Sequence, residues 1–264
     1  MYESGLVLVQ VWVISDTQSL LLASMHHAFT DGWTVGLLQR QLAEAYAALA
    51  AGSQPAWDPL PVQYRDVAAW QRTHLQGAVL DEQLAWWRET LAGAPPLLAL
   101  PWEHARPAVA SHAGVAAPVQ LDVSAAAGLR QLAAAEQTPL FVVLLAAVQA
   151  TLARLSGQDD VVVGTPYANR AQEEVQQLAG CLVNTLALRT DVGGDPSFQQ
   201  LLQSAKATAT EAFQRADAPF ASVVSALKLD RSAAYNPVYQ VPYAARVSAS
   251  PEYLHVQRLS GRTC

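Results

Sequence analysis

The chain has 264 residues, 52% of them hydrophobic and 14% charged, which supports a sizeable core, about two domains at roughly 150 residues each, and excludes a disordered class. Its net charge of −6, with no run of Lys or Arg, excludes the clustered positive charge that nucleic acid requires. Cys181 and Cys264 form neither a metal spacing nor a disulfide framework, so a reducing compartment, the cytoplasm, is expected.

The apolar run Gly5 to Ile14 is interrupted by Gln10 and has Glu3 in front of it. It is short for a membrane span of ~20 residues and lacks the positive flank of a signal peptide, so no membrane association is expected. Its β-branched character reads as a buried strand, with a turn at Ser15-Asp16-Thr17 and a second strand over Leu20 to Met25, a β-hairpin. Val35, Leu37, Leu38, Leu42, Ala45, Tyr46 and Leu49 then recur at helical spacing, which predicts an amphipathic helix over 33–50. Gly52 and the prolines of 51–61 form a crossing. A helical pattern returns over 62–92, carrying Tyr64, Trp70, Trp86 and Trp87 as core aromatics, and Gly93-Ala94-Pro95-Pro96 ends it.

The stretch 93–111 has neither period and marks a lobe boundary near residue 105. Beyond it the pattern predicts strand 115–121, helices 124–135 and 139–156, strand 160–164, a loop through Arg170, helix 172–178, strand 181–190 and helix 197–214. Ser124 and Ser197 are expected N-caps. The alternation indicates an α/β fold.

His26-His27-x-x-x-Asp31-Gly32 lies between a strand end and a helix start, where side chains are held firmly yet open to a cleft. The positive end of a helix dipole there favours a neutral imidazole able to accept a proton. Adjacent strand positions point to opposite faces, so one histidine is expected to face the cleft and the other the interior. Asp31 can orient a ring, pair with an arginine or hold the loop, and Gly32 lets backbone approach a substrate. Together these groups suit acyl transfer. A zinc site is the weaker reading, because helical zinc motifs space histidines four apart around a glutamate. His74, His104, His112 and His255 read as structural or surface residues.

HHAFTDGW resembles the HHxxxDGW signature of nonribosomal peptide synthetase condensation domains, which share the fold of chloramphenicol acetyltransferase. YRDVAAWQ (64–71), GQDDVVVGTPYANR (157–170), GCLVNTLALR (180–189), DAPF (217–220) and RSAAYNPVYQV (231–241) resemble further family motifs in the family's order. The resemblance covers about residues 5–243. It implies a two-lobed, pseudo-dimeric α/β protein, incomplete at both ends: residues 1–105 as the later part of the first lobe, 106–246 as part of the second, and 247–264 as a divergent tail.

The resemblance further implies a donor acyl or peptidyl thioester and an acceptor aminoacyl amine, each on the 4′-phosphopantetheine arm of a carrier protein. An adenylation domain is the expected neighbour, and no cofactor is bound by the chain itself. By position His27 is the active-site histidine, with His26 beside it. Asp31 is the structural carboxylate, with Arg170 and Arg189 as candidate partners, and Gly32 lines the channel. Trp33 and Asn184 are carried as substrate-binding candidates, although Trp33 reads most simply as core and Asn184 equally as a sheet-edge hydrogen bond.

The chain departs from the family pattern at Cys181, where a bulky aromatic is common, at Arg215 and Ala216, which replace His-Gln, and at Tyr235, which replaces an arginine. An epimerisation domain fits the floor segment GTPYANR less well, and a heterocyclisation domain would carry aspartates in place of the histidines. A coenzyme A-dependent acyltransferase and a noncatalytic, carrier-docking remnant are the competing readings.

Overall fold

A computed structural model describes residues 7–111, 113–230, 232–246 and 255–256. Expectations for the 247–264 tail, for His112 and for Cys264 fall outside these residues, apart from the short strand His255–Val256. The described chain forms two compact units. One joins the residues up to His74 with Ala168–Val183, and the other joins Leu75–Tyr167 with the chain from Asn184 onward. These units divide the chain elsewhere than the expected boundary near 105, because the segment after Tyr167 folds back onto the first.

In the first unit, β1 (Val7–Ser15) and β2 (Gln18–Met25) form the expected antiparallel hairpin, with Val7 opposite Met25 and Val13 opposite Ser19. The expectation of burial is corrected, since both faces of β1 are exposed, Val7, Val9, Val11 and Val13 on one and Leu8, Trp12 and Ile14 on the other. The composition is that of a central strand, but no described residue covers it. α1 (Gly32–Ala50) behaves similarly. It buries Thr34 and Leu37 and exposes the stripe Val35, Leu38, Leu42, Tyr46 and Leu49. α2 (Tyr64–His74) follows. Val175, Leu178 and Leu182 form a small core with Val62 and Val67.

The second unit opens with α3 (Ala78–Leu91). The single helical pattern of 62–92 is thus two helices, broken at Gly77, whose φ of 55° favours glycine. Among its aromatics Trp87 is core, while Tyr64 and Trp70 are exposed, Trp70 stacking on His74 at 4.8 Å. The strand expected at 115–121 does not form. Pro118 lacks an N–H for a ladder, and Val115 and Val119 stand in solvent.

α4 (Val123–Ala135) is capped by Asp122, which accepts from Ala125 N at 2.7 Å, rather than by Ser124. α5 (Leu140–Ser156) is the most buried helix. β3 (Asp160–Tyr167) lies between β4 (Asn184–Asp191), antiparallel, and β5 (Val241–Pro242), parallel. α6 (Phe198–Gln214) and α7 (Phe220–Leu227), the latter not anticipated, complete the layer. β6 (Ala245–Arg246) pairs with β7 (His255–Val256). The core runs through Val143, Leu145, Val161, Val163, Leu188 and Leu202, all essentially inaccessible.

Ser197 caps α6 with a complete capping box, its Oγ accepting from Gln200 N while Gln200 Oε1 accepts from Ser197 N. Ser197→Ala is expected to cost about 1 kcal/mol, read from the midpoint of urea unfolding.

Candidate active site

β2 ends at Met25, and the next residues turn rather than continue the strand. Phe29 N donates to His26 O at 2.9 Å, and Ala28 N donates to His26 Nδ1 at 3.1 Å. The His26 ring is therefore committed to its own turn. This corrects the expectation that a strand sorts the two histidines to opposite faces: both sit in the turn and both are exposed. His27 places Nδ1 3.9 Å from the sulfur of Cys181, which turns Nε2, on the far side of the ring, away from that contact.

Asp31 is buried, unlike the histidines. It is the N-cap of α1, its Oδ1 accepting from Thr34 N at 2.8 Å, while Oδ2 accepts from Leu182 N at 3.1 Å. Arg170 Nη2 lies 3.2 Å from Oδ2 and 3.4 Å from Oδ1. Both partners are almost wholly removed from solvent. Among the described hydrogen bonds the carboxylate orients no imidazole; it joins the start of α1 to the segment 168–183.

Arg170 is the hub of that segment. Nη1 donates to Val175 O at 2.7 Å and Leu178 O at 2.6 Å, and Nη2 also donates to Gly180 O at 2.9 Å and Thr34 Oγ1 at 3.2 Å. The helix expected over 172–178 is replaced by one 3₁₀ turn, Glu173–Val175, and the carbonyls of Val175 and Leu178 go to the guanidinium. Arg189, the other candidate partner for Asp31, is corrected. It pairs with Asp160 at 2.7 Å and donates to Thr90 O and Ala92 O.

Burial acts to raise the pKa of Asp31, but the N–H groups of Thr34 and Leu182, the Thr34 hydroxyl and the Arg170 guanidinium outweigh it and hold the carboxyl below its ordinary value. A depressed folded-state pKa contributes stability that is present above the unfolded-state pKa and is lost as pH falls through the folded value. Urea stability measured stepwise from pH 6 to acid is expected to fall below about pH 4, and Asp31→Asn is expected to flatten that fall while lowering the plateau.

Trp33 is exposed rather than core. Its Nε1 donates to Gln176 O at 2.8 Å, and Arg170 lies 5.8 Å from its ring centroid. It clasps the same segment. Gly32, the first residue of α1, is exposed, so no side chain stands between its backbone and solvent. Asn184 spends its amide internally: Nδ2 donates to Ala216 O and Ala218 O, each at 2.8 Å, and Oδ1 accepts from Thr185 N and Phe220 N. This is a backbone-fixing role, and it ties the DAPF segment to the start of β4.

Thr34 and Tyr64 were not anticipated at the site. Thr34 Oγ1 donates to Gly180 O at 2.9 Å and accepts from Gly180 N at 3.1 Å, and Tyr64 OH donates to Cys181 O at 2.9 Å. The signal in the sequence was a threonine in the first turn of a helix otherwise patterned for burial.

A family model for the condensation domain matches residues 1–246. The chain belongs to the condensation-domain family. It is 45% identical over 236 residues to phosphinothricin tripeptide synthetase PhsB of Streptomyces viridochromogenes, covering 89% of this chain and 20% of that protein. It is also 41% identical over 242 residues to malpinin synthetase of Mortierella alpina, covering 92% of this chain and 3% of that protein. The chain therefore spans a small part of the curated relatives it matches.

Among solved structures, the X-domain from teicoplanin biosynthesis superposes with a TM-score of 0.82 at 23% identity, over 97% of this chain and 66% of that one. The first condensation domain of the calcium-dependent antibiotic synthetase superposes at 0.77 and 20% identity, over 96% and 63%. These likenesses establish the α/β, chloramphenicol acetyltransferase-like fold of condensation domains, of which this chain spans about two thirds. The family is one of acyltransferase-type enzymes that form amide bonds.

Proposed function

We propose that this condensation domain forms an amide between an acyl or peptidyl thioester and an aminoacyl amine, each carried on the phosphopantetheine arm of a carrier domain. The observation that carries this reading is the division of labour within the motif. Asp31 is buried in a structural ion pair and His26 caps its own turn, so His27 is the imidazole whose Nε2 is left to meet a substrate.

The amine nitrogen attacks the thioester carbonyl carbon, and the carbon–sulfur bond breaks. The departing sulfur takes up a proton as the thiol, and the nitrogen gives one up. His27 holds the amine in line and accepts that proton at Nε2. An α-amine of pKa roughly 7.7–8.0 is already partly neutral near pH 7, so alignment contributes alongside basicity. Both arms are substrates delivered by donor and acceptor carriers, an adenylation domain loads the acceptor, and the cytoplasm is the compartment that the cysteine usage favours.

The test uses the polypeptide as its source cells make it, with both carriers loaded, and measures product with His27 intact and with His27→Ala. Amide formed only from carrier-bound donor supports the proposal. Equal turnover of the same donor on coenzyme A would replace it with a free-standing acyltransferase, and carrier binding without product would make the domain a docking module.

A further inference from the structure

Three successive residues, Gly180, Cys181 and Leu182, are each fixed by side chains of the same unit. Gly180 is held at its N–H and its carbonyl by Thr34 Oγ1, and at the carbonyl also by Arg170. The carbonyl of Cys181 accepts from Tyr64 OH, and Leu182 N donates to Asp31 Oδ2. Gly180 tolerates no side chain, because an added Cβ would run into the Tyr64 ring. The network that buries Asp31 and Arg170 thus has an outward end: it holds a thiol 3.9 Å from His27 Nδ1.

We propose that Cys181 is a positioning residue for His27. The proposal rests on His27 being the acting histidine. A neutral imidazole that takes a proton at Nε2 must carry its own on Nδ1, and the partner of Nδ1 selects that tautomer. Here the partner is sulfur. Nδ1–H donates to Cys181 Sγ, so the thiol does what a carboxylate or carbonyl does for histidines elsewhere, and the Nε2 lone pair is left free. Sulfur is a weak acceptor, so the contribution is modest, and the dependence runs both ways: an N–H donor at the sulfur favours its thiolate.

Two measurements test this. In the full polypeptide, iodoacetamide labelling of Cys181 is followed on its own peptide by mass spectrometry: the thiolate sulfur bonds to the reagent carbon, iodide leaves, and the thiol proton goes to solvent. His27→Gln is expected to slow that labelling several-fold at pH 7, and His104→Gln, at an exposed residue away from the motif, to leave it unchanged. Equal labelling rates in all three proteins would overturn the proposal. In the loaded polypeptide, Cys181→Ala is expected to lower kcat about three- to tenfold, the worth of one hydrogen bond, with KM unchanged and with rescue by Cys181→Ser. A raised KM with unchanged kcat, or no rescue by serine, would overturn it as well. If labelling depends on His27 while turnover does not, the contact stands and the catalytic reading falls. If turnover depends on His27 while labelling does not, the reverse holds.

Discussion

Arg170→Met should destabilise the first unit by about 3–5 kcal/mol, the range for stranding one partner of a buried ion pair. The cause is not the lost attraction alone. Asp31 would remain buried with a charge and no cation, and the carbonyls of Val175, Leu178 and Gly180 would lose their donor. Guanidinium chloride unfolding followed by tryptophan fluorescence, to which Trp33, which clasps this segment, contributes, reads the loss. The double variant Asp31→Asn with Arg170→Met should recover part of it, since the stranded charge is then gone. A single-variant loss under 1 kcal/mol would mean that water reaches the carboxylate and that the pair is a surface interaction in effect.

His27→Ala should lower the rate of amide formation by ~10²–10⁴, the usual worth of a positioned general base, and leave unfolding unchanged because the ring is exposed. His26→Ala should act differently. It removes the acceptor for Ala28 N and loosens the turn, so its effect should appear as a smaller rate loss with a measurable loss of stability. Single-turnover assays with both carriers loaded separate chemistry from carrier exchange. An unchanged rate in His27→Ala would remove this residue from the mechanism.

Much of this arrangement was legible in the sequence, and the parts that were not share a cause. α1 was readable because Val35, Leu38, Leu42 and their neighbours repeat at helical spacing, the hairpin because Ser15-Asp16-Thr17 interrupts two apolar runs, and the α6 cap because serine precedes the pattern by one residue. Each is a local fact. The burial of β1 and the partner of Asp31 are decided by groups distant in sequence. Arg170 and Arg189 looked equivalent until the fold gave Asp160 to the second. For Asn184 a substrate contact and a sheet-edge hydrogen bond stayed equally open, because nothing nearby in sequence announces that residues 216–220 return to it.

The first unit is discontinuous, and this has a consequence for its birth on the ribosome. Arg170 follows Asp31 by 139 residues, so the histidine motif emerges and waits through the synthesis of α3, α4, α5 and β3 before its anchor exists. Closing a loop of that length costs about 4 kcal/mol of chain entropy, which the hub contacts must offset in one cooperative step. The hairpin and α1 carry apolar faces that stay exposed before and after the anchor closes, the circumstance in which chaperone engagement and slow translation favour a correct fold over association. Synonymous changes that hasten elongation between residues 75 and 170 would thus lower the yield of soluble protein without altering a single side chain.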